Sequence, residues 1–196
     1  MISGNRTVLV RSGEELIDVL RKGQGVLNVL ALAGVKDEFL GRLSHLITIA
    51  SDSLELKRKV LERYTDGQLY PYTKYYLHAI KERTGEYWKN HFSTIGIVGM
   101  NEACLNLFGK DIASPEGMAF ALEVADFIRF RLIKLQEQTG NNYNFEATPA
   151  EGTSYRLARM DKDKYPDIVC ANEQAYRLGG EPFYTNSTQL PVNYTD

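Results

Sequence analysis

The chain has 196 residues, of which 43% are hydrophobic and 24% are charged, and these proportions are typical of a soluble globular protein. The net charge of −2 provides no basic field for binding nucleic acid, and two cysteines are too few for a disulfide framework or a four-thiolate zinc site. Because no apolar run reaches the roughly 20 residues that cross a bilayer and no secretory segment is present, we expect a cytoplasmic protein without a membrane or nucleic-acid partner.

The first predicted elements are a capped helix, a strand and a long helix. Ser12 and Glu15 form a capping box, and the helix that they begin covers residues 13–22. Residues 26–32 are almost continuously apolar, which predicts a buried strand. Apolar residues then recur at helical spacing and predict a long helix over residues 36–64.

The next predicted elements alternate between helices and a strand. A turn-rich connector over residues 67–73 leads into a helix over residues 75–83. Residues 92–98 are apolar and β-branched and indicate a buried strand, after which Gly99 turns the chain into a helix over residues 101–108.

A second long helix follows. Ser114 is its predicted N-cap, with a proline at the first helical position, and Gly140 is its predicted end. Its predicted core stripe consists of Met118, Ala121, Ala125, Ile128, Leu132 and Leu135.

The last predicted elements are a strand over residues 143–147, a helix over residues 151–162 and, after a less regular segment, a short strand over residues 182–187. Strands that alternate with amphipathic helices favour an α/β fold with mainly parallel pairing. The carboxyl ends of parallel strands meet at one rim of such a fold. We therefore expect three segments to lie together there, namely residues 99–102, 148–154 and 185–187.

The segment from Asn144 to Arg156 has the pattern of an anion site. Pro149 ends the strand because it has no N–H for the ladder, and the following residues are small or carry hydroxyl groups just where a helix begins. A helix start has unpaired N–H groups and the positive end of the helix dipole, so it favours an anionic ligand. Arg156 and Arg159 lie on one face of this helix and can add charge. The alternative is an ordinary strand–turn–helix junction.

Three blocks of sequence resemble, in the same order, the anaerobic, glycyl-radical (class III) ribonucleoside-triphosphate reductases. They are FSTIGIVGMNE at residues 92–102, NFEATPAEGTSYR at residues 144–156, and YTNS with QLPV at residues 184–187 and 189–192. The resemblance is strong from about Leu54 to the C-terminus and weak before it. It implies two segments, a weakly recognised one over residues 1–35 and a partial reductase barrel domain over residues 36–196. In that family the fold is a ten-stranded α/β barrel with mainly parallel strands alternating with helices.

The resemblance implies a site for the substrate, a ribonucleoside triphosphate. In the family, phosphates are held near helix N-termini at the rim of the barrel. The residues that correspond to this site are Thr148, Glu151, Gly152, Thr153, Ser154, Asn101, Glu102, Asn186 and Ser187. The glycine permits a close approach of the backbone, as phosphate sites require.

Several of these residues have a second interpretation. Glu151 carries the same sign of charge as a triphosphate, so it can instead cap its own helix, orient an arginine or lie nearer the ribose. Asn101 can cap the helix that begins there, with Glu102 favoured in the first turn. Asn186 and Ser187 are equally typical of a turn.

We assign no catalytic residue and no metal ligand to this chain. Cys104 lies on a predicted helix and is interpreted as a small buried hydrophobe. The family's radical cysteine sits in a finger loop with a Met-Gly-Cys-Arg type signature, and this sequence has no such signature. It also has no glycyl-radical segment and no paired Cys-x-x-Cys zinc motif.

The resemblance therefore implies a fragment or one subunit of a split reductase, with a complementary chain or self-association to close the barrel. The complete enzyme would need a glycyl radical made by an iron–sulfur S-adenosylmethionine activase, and a structural zinc. We expect the isolated chain to be inactive. The alternative is a catalytically inactive nucleotide-binding or regulatory remnant that acts through a partner chain. A third possibility is an unrelated α/β enzyme.

Overall fold

The computed structural model describes residues 29–191 and residue 194, with side chains from residue 36 onward. The capping box at Ser12 and the helix predicted over residues 13–22 lie outside the described residues. The chain divides into two compact units between Leu46 and Ile47. Everything described below, apart from the first part of the first helix, belongs to the second unit.

The described elements are six helices and two strands. In chain order they are α1 (Val29–Asp66), α2 (Pro71–Thr84), β1 (Phe92–Ile97), α3 (Met100–Phe108), α4 (Pro115–Thr139), β2 (Asn142–Ala147), α5 (Glu151–Lys164) and α6 (Glu173–Arg177). The predicted helices over residues 36–64, 75–83, 101–108 and 151–162 are confirmed, and their observed ends lie within seven residues of the predicted ones.

The strand predicted over residues 26–32 is wrong where the structure describes it. Residues 29–32 form the start of α1 rather than a strand. A short apolar run cannot distinguish a strand from a buried helix, and the leucines and alanines here are strong helix formers.

β1 and β2 are parallel neighbours, in register from Phe92 opposite Asn142 to Ile97 opposite Ala147. α3 and α4 form the connection between them, and α4 packs against β2. Ser93 and Tyr143 are buried, whereas Phe92 is 59% exposed. The prediction of a buried strand at residues 92–98 is therefore wrong for one face, because successive side chains of a strand point to opposite faces and only one face is covered.

α4 begins and ends as predicted, although its buried stripe differs. The Oγ of Ser114 accepts a hydrogen bond from the N–H of Gly117 at 3.0 Å, and Gly140 follows the last turn in a left-handed conformation. Its buried residues are Gly117, Phe120, Val124, Ile128 and Leu132. Met118, a predicted core residue, is 46% exposed. The buried stripe includes Gly117 because the helix packs on the preceding loop there, where a Cβ would lie 2.1 Å from the carbonyl oxygen of Asp111.

Polar side chains of α1 hold the amino ends of both strands. The carboxylate of Glu55 accepts hydrogen bonds from the Tyr143 hydroxyl and the Asn141 amide. Arg58, 8% exposed, donates to the carbonyl oxygen of His91 and to the hydroxyl of Ser93. These contacts fix where β1 and β2 begin, and so where their carboxyl ends lie.

Residues 182–187 do not form the predicted strand. Pro182 has no N–H to donate. The backbone groups that follow it make isolated hydrogen bonds to loop residues and side chains. The N–H of Phe183 donates to the side chain of Asn172 and that of Thr185 to Glu102, while the carbonyl oxygen of Thr185 accepts from the N–H of Gly99. The segment is extended but has no ladder.

Candidate functional site

The first segment of the site begins at a left-handed turn after β1. Gly99 has a φ of 81° and is the N-cap residue of α3, so Asn101 and Glu102 lie in the first turn of that helix. The interpretation of Asn101 as the cap is therefore wrong, and the placement of Glu102 in the first turn is confirmed. Both side chains are 2% exposed.

Glu102 connects this turn to the third segment. Its Oε2 accepts hydrogen bonds from the N–H and from the hydroxyl of Thr185, both at 2.8 Å. Its Oε1 accepts from Nδ2 of Asn101 at 2.9 Å, and Oδ1 of Asn101 accepts from the N–H of Ile112 at 3.2 Å. Asn101 and Glu102, which were predicted to contact the substrate, thus use these side-chain atoms for hydrogen bonds within the protein.

Gln189 makes a second connection between the same segments and was missed in the sequence. Its Oε1 accepts from the N–H of Met100 at 2.9 Å, and its Nε2 donates to the carbonyl oxygens of Ile97 and Asn186. Gln189 is 8% exposed and has a φ of 57°, which is uncommon for a residue with a side chain. Nothing in the sequence alone signals such a conformation at a glutamine.

The second segment places an uncapped helix start after β2. Ala150 occupies the N-cap position of α5 and no side chain caps the helix, so Glu151 does not cap it. Within the described residues, the N–H groups of Glu151, Gly152 and Thr153 have no hydrogen-bond acceptor. All three residues are exposed. These N–H groups are free to bind an anion.

Ser154 lies at the same helix start but has a different environment. It is fully buried, its N–H donates to the carbonyl oxygen of Ala150 at 2.7 Å, and its hydroxyl donates to that of Glu151 at 2.8 Å. Its Oγ also accepts from Nδ2 of Asn186 at 3.4 Å. The serine thus joins the second segment to the third.

The third segment forms a turn stabilised by its own side chain. The Oδ1 of Asn186 accepts hydrogen bonds from the N–H of Ser187 at 2.8 Å and from its hydroxyl at 3.0 Å. Asn186 therefore has the turn chemistry that the sequence offered as the alternative to a ligand contact, and it also contacts Ser154. Together with the contacts of Glu102 and Ser154, this confirms that residues 99–102, 148–154 and 185–187 lie together.

Gly96, which the sequence reasoning did not select, allows the second segment to pass close to β1. A Cβ at this position would lie 1.6 Å from Oγ1 of Thr148. The hydroxyl of Thr148 in turn lies 3.5 Å from Oε1 of Glu146. A glycine inside a strand is a known signal of a close backbone approach, so the sequence did contain the information.

Of the two arginines predicted to add charge, Arg159 is already paired. Its guanidinium donates to Glu181 at 2.9 Å and to the hydroxyl of Tyr155 at 3.1 Å, and these partners raise its pKa. It borders a cleft of about 370 Å³ that contains none of the predicted site residues. Arg156 is exposed one turn after the start of α5.

Both cysteines are buried in the structure. Cys104 is 0% exposed, and burial raises the pKa of its thiol to about 11. Cys170 is 1% exposed and has a raised pKa, chiefly from burial and then from its contact with Glu173. Among the residues with described side chains, no group of three or more His, Cys, Asp or Glu is arranged to hold a metal ion. No helix in that part of the chain is long and apolar enough to cross a membrane.

The sequence model of the anaerobic ribonucleoside-triphosphate reductase family matches residues 26–196. The chain belongs to this family. Comparison with curated proteins gave no match.

Solved structures of the anaerobic ribonucleotide reductase from Thermotoga maritima are similar in fold to this member of the family. The form with MES in its active site has a TM-score of 0.61 and 21% identity, over 91% of this chain and 26% of that chain. The form with citrate has a TM-score of 0.61 and 20% identity, over 91% and 29%. The form with dATP in its specificity site has a TM-score of 0.56 and 22% identity, over 78% and 24%. The chain thus spans between 24% and 29% of those reductase chains.

Proposed function

We propose that this chain is a fragment or split subunit of an anaerobic ribonucleoside-triphosphate reductase and supplies substrate-binding loops. Family membership supports the reaction class, the conversion of a ribonucleotide to a deoxyribonucleotide by radical chemistry. The observation that carries the substrate-binding role is the uncapped start of α5, where the three segments described above meet. The ligand is the triphosphate of a ribonucleoside triphosphate.

The N–H groups of Glu151, Gly152 and Thr153 are the proposed phosphate donors, aided by the exposed hydroxyl of Thr153. They lie at the positive end of the helix dipole, and Gly152 has no neighbouring atom within 4 Å of a Cβ position, which leaves room for a ligand. Thr148 borders this space from the end of β2. In this proposal the side chain of Glu151 points away from the phosphates, because like charges repel.

The other proposed site residues act mainly by holding this helix start in place. Ser154 and Asn186 connect the second and third segments through a hydrogen bond. Ser187 belongs to the turn that the side chain of Asn186 stabilises. Asn101 and Glu102 are buried in the first segment and fix the position of Thr185. In this arrangement Asn101 and Glu102 are positioning residues.

A complementary chain or self-association completes the ten-stranded barrel, and the remaining parts of the reaction belong to a complementary chain. That chain would carry the glycyl radical made by an iron–sulfur S-adenosylmethionine activase, the finger-loop cysteine and a structural zinc. When passed to that finger-loop cysteine, the radical would supply the abstraction of a hydrogen atom from the ribose. The 36–196 segment is the proposed barrel domain, and a cytoplasmic location is part of the proposal.

A charge placed at the helix start tests the phosphate role. Gly152→Asp introduces a negative charge without a steric clash, and Gly152→Asn is its uncharged control of equal size. We expect the aspartate to weaken binding of a ribonucleoside triphosphate about tenfold or more, with asparagine close to the unmodified chain. Isothermal titration calorimetry on the full chain measures both. Equal affinities of the two variants, or no binding to the unmodified chain, would overturn the proposal.

A further inference from the structure

The extended segment of residues 184–186, which we call the strap, contacts two helices on its two sides. The side chains of Tyr184 and Asn186 donate hydrogen bonds to residues of α5, whereas the hydroxyl of Thr185 between them donates to Glu102 in α3. Successive side chains of an extended chain point to opposite sides, which explains this alternation. The strap therefore connects α5 with the first turn of α3.

Tyr184 is the strap residue that contacts α5 farthest from the helix start. Its hydroxyl donates to Oδ2 of Asp161 at 2.7 Å, and its ring packs with Ala158 in a buried cluster. The ring also lies beside Gly99, where an added Cβ would be 3.5 Å from Cγ of the tyrosine. Burial, followed by the bond to Asp161, raises the pKa of Tyr184, so the hydroxyl remains a donor at neutral pH. Tyr184 thus contacts both α5 and the N-cap residue of α3.

Two hydrogen bonds from the strap hold α5 at separate points on one side. Their acceptors, Ser154 and Asp161, are seven residues apart, which is close to two helical turns. One bond leaves a helix free to pivot, whereas two bonds at different heights also fix its direction. The bond from Tyr184 is the shorter, at 2.7 Å against 3.4 Å for the bond from Asn186, and its acceptor is a carboxylate. It is therefore the stronger of the two.

We propose that Tyr184 is a positioning residue for the phosphate site and acts through Asp161 to hold the start of α5 in place. This inference rests on the proposed function, since it takes the N–H groups of residues 151–153 to bind phosphate. Those N–H groups can converge on one ligand only if the helix start is fixed, because hydrogen bonds weaken steeply with misalignment. Asp161 follows Thr153 by about 12 Å along the helix, so the hydroxyl of Tyr184 does not itself contact the ligand.

Amide hydrogen exchange of the ligand-free full chain tests the positioning role. Tyr184→Phe removes the hydroxyl and keeps the ring. Tyr176→Phe is the matched control, because Tyr176 packs against the same buried cluster and Lys162 contacts only its ring. The probe is the N–H of Ser154, which donates to the carbonyl oxygen of Ala150 in the first turn of α5. We expect Tyr184→Phe to speed its exchange about tenfold and Tyr176→Phe to leave it within about twofold, with the amides of α4 unchanged in both.

Calorimetric titration of the full chain with inorganic tripolyphosphate and with a ribonucleoside triphosphate tests the link to function. Tyr184→Phe should weaken both about fivefold, and by the same factor, because the nucleoside is not involved. Asp161→Ala should give the same loss, and the two substitutions together should give no further loss. Asp161→Asn keeps an acceptor for the hydroxyl and should bind within about twofold of the unmodified chain. A residue that serves overall stability alone would not change these affinities where every variant is folded.

The outcomes separate this inference from the proposed function. Affinities that Tyr184→Phe leaves unchanged, or a loss with Asp161→Asn as large as that with Asp161→Ala, overturn the inference alone. Failure of the unmodified chain to bind either ligand overturns the proposed function, and the exchange of Ser154 then decides whether Tyr184 holds the helix start. Faster exchange, weaker binding and rescue by Asp161→Asn support both.

Discussion

At the scale of single residues, burial determines the chemistry of Cys104. Its thiol is 0% exposed and its Sγ–H donates to the carbonyl oxygen of Gly117 at 3.7 Å. Burial, followed by the carboxylates of Glu102 and Asp111, raises its pKa from 9.0 to about 11. At neutral pH the thiol is therefore protonated and inert, which fits a packing role.

We predict slow alkylation of Cys104 in the folded chain. At about pH 8, iodoacetamide should modify it at least about tenfold more slowly in the folded chain than in urea, because the thiolate is the nucleophile. Peptide mass spectrometry measures the two rates site by site. Equal rates in the two states would show that the thiol is accessible and contradict the packing role.

The same pKa shift has a consequence for stability. A folded-state pKa above the ordinary value of 9.0 means that the contribution of this thiol is complete below that value and is lost as the pH rises through about 11. As the pH rises from about 9 to about 11, the Cys104→Ala chain should therefore lose less unfolding free energy than the unmodified chain. Urea unfolding at several pH values measures the difference.

At the scale of elements, local signals predicted the helices and failed for the connections between them. Ser114 and Gly140 define α4 because capping depends on residues within one turn. The extended segment 182–187 depends on Glu102, 83 residues before its partner, and on Asn172, 11 residues before its partner, so no pattern within the segment distinguishes it from a strand. The burial of Glu102 has the same origin, since its partner Thr185 lies 83 residues away.

Because the carboxyl ends of parallel strands meet at one rim, the sequence predicted that the three site segments lie together. It did not predict the hydrogen bonds within the site. The unpaired N–H groups at α5 follow from the absence of a capping side chain at Ala150, which is visible in the sequence. The hydrogen bond that Ser154 accepts from Asn186, 32 residues away, is a tertiary contact that only the structure shows.

Thr148 passes close to β1 at Gly96, so a substitution at Gly96 tests how these two elements pack. Gly96→Ala should lower the unfolding free energy by about 1–3 kcal/mol and weaken triphosphate binding, because the added Cβ displaces Thr148. Gly41→Ala is the control, since nothing lies within 4 Å of a Cβ there, and it should stabilise α1 by up to about 1 kcal/mol. Urea denaturation and calorimetry measure the two effects. A Gly96→Ala chain as stable as the unmodified one would contradict the close approach.

At the scale of the whole molecule, the described part of the second unit has open strand edges and exposed aromatic side chains. The described sheet has only two strands, and each has one edge without a strand partner in the described part of the chain. Phe92 is 59% exposed, and Tyr72, Tyr75 and Tyr76 are each more than three-quarters exposed. Open edges and exposed aromatic side chains favour association.

We predict that the isolated chain associates with itself as its concentration rises. Sedimentation velocity from about 1 μM to about 200 μM should show an increasing average mass. Addition of a complementary reductase chain should replace this self-association by a defined complex. A monomer of 22.2 kDa at every concentration would contradict the expectation that these surfaces are covered in the working protein.

The most direct test of the central claim is a titration of the ¹⁵N-labelled chain with a ribonucleoside triphosphate, followed by amide NMR. The amide signals of Glu151, Gly152 and Thr153 should shift most, because their N–H groups are the proposed phosphate donors. Gly152→Asp should require about tenfold more triphosphate, or more, to produce the shifts at this helix start, whereas Gly152→Asn should need about as much as the unmodified chain. Shifts confined to residues away from the start of α5, or no shifts at saturating triphosphate, would contradict the substrate-binding role of this chain.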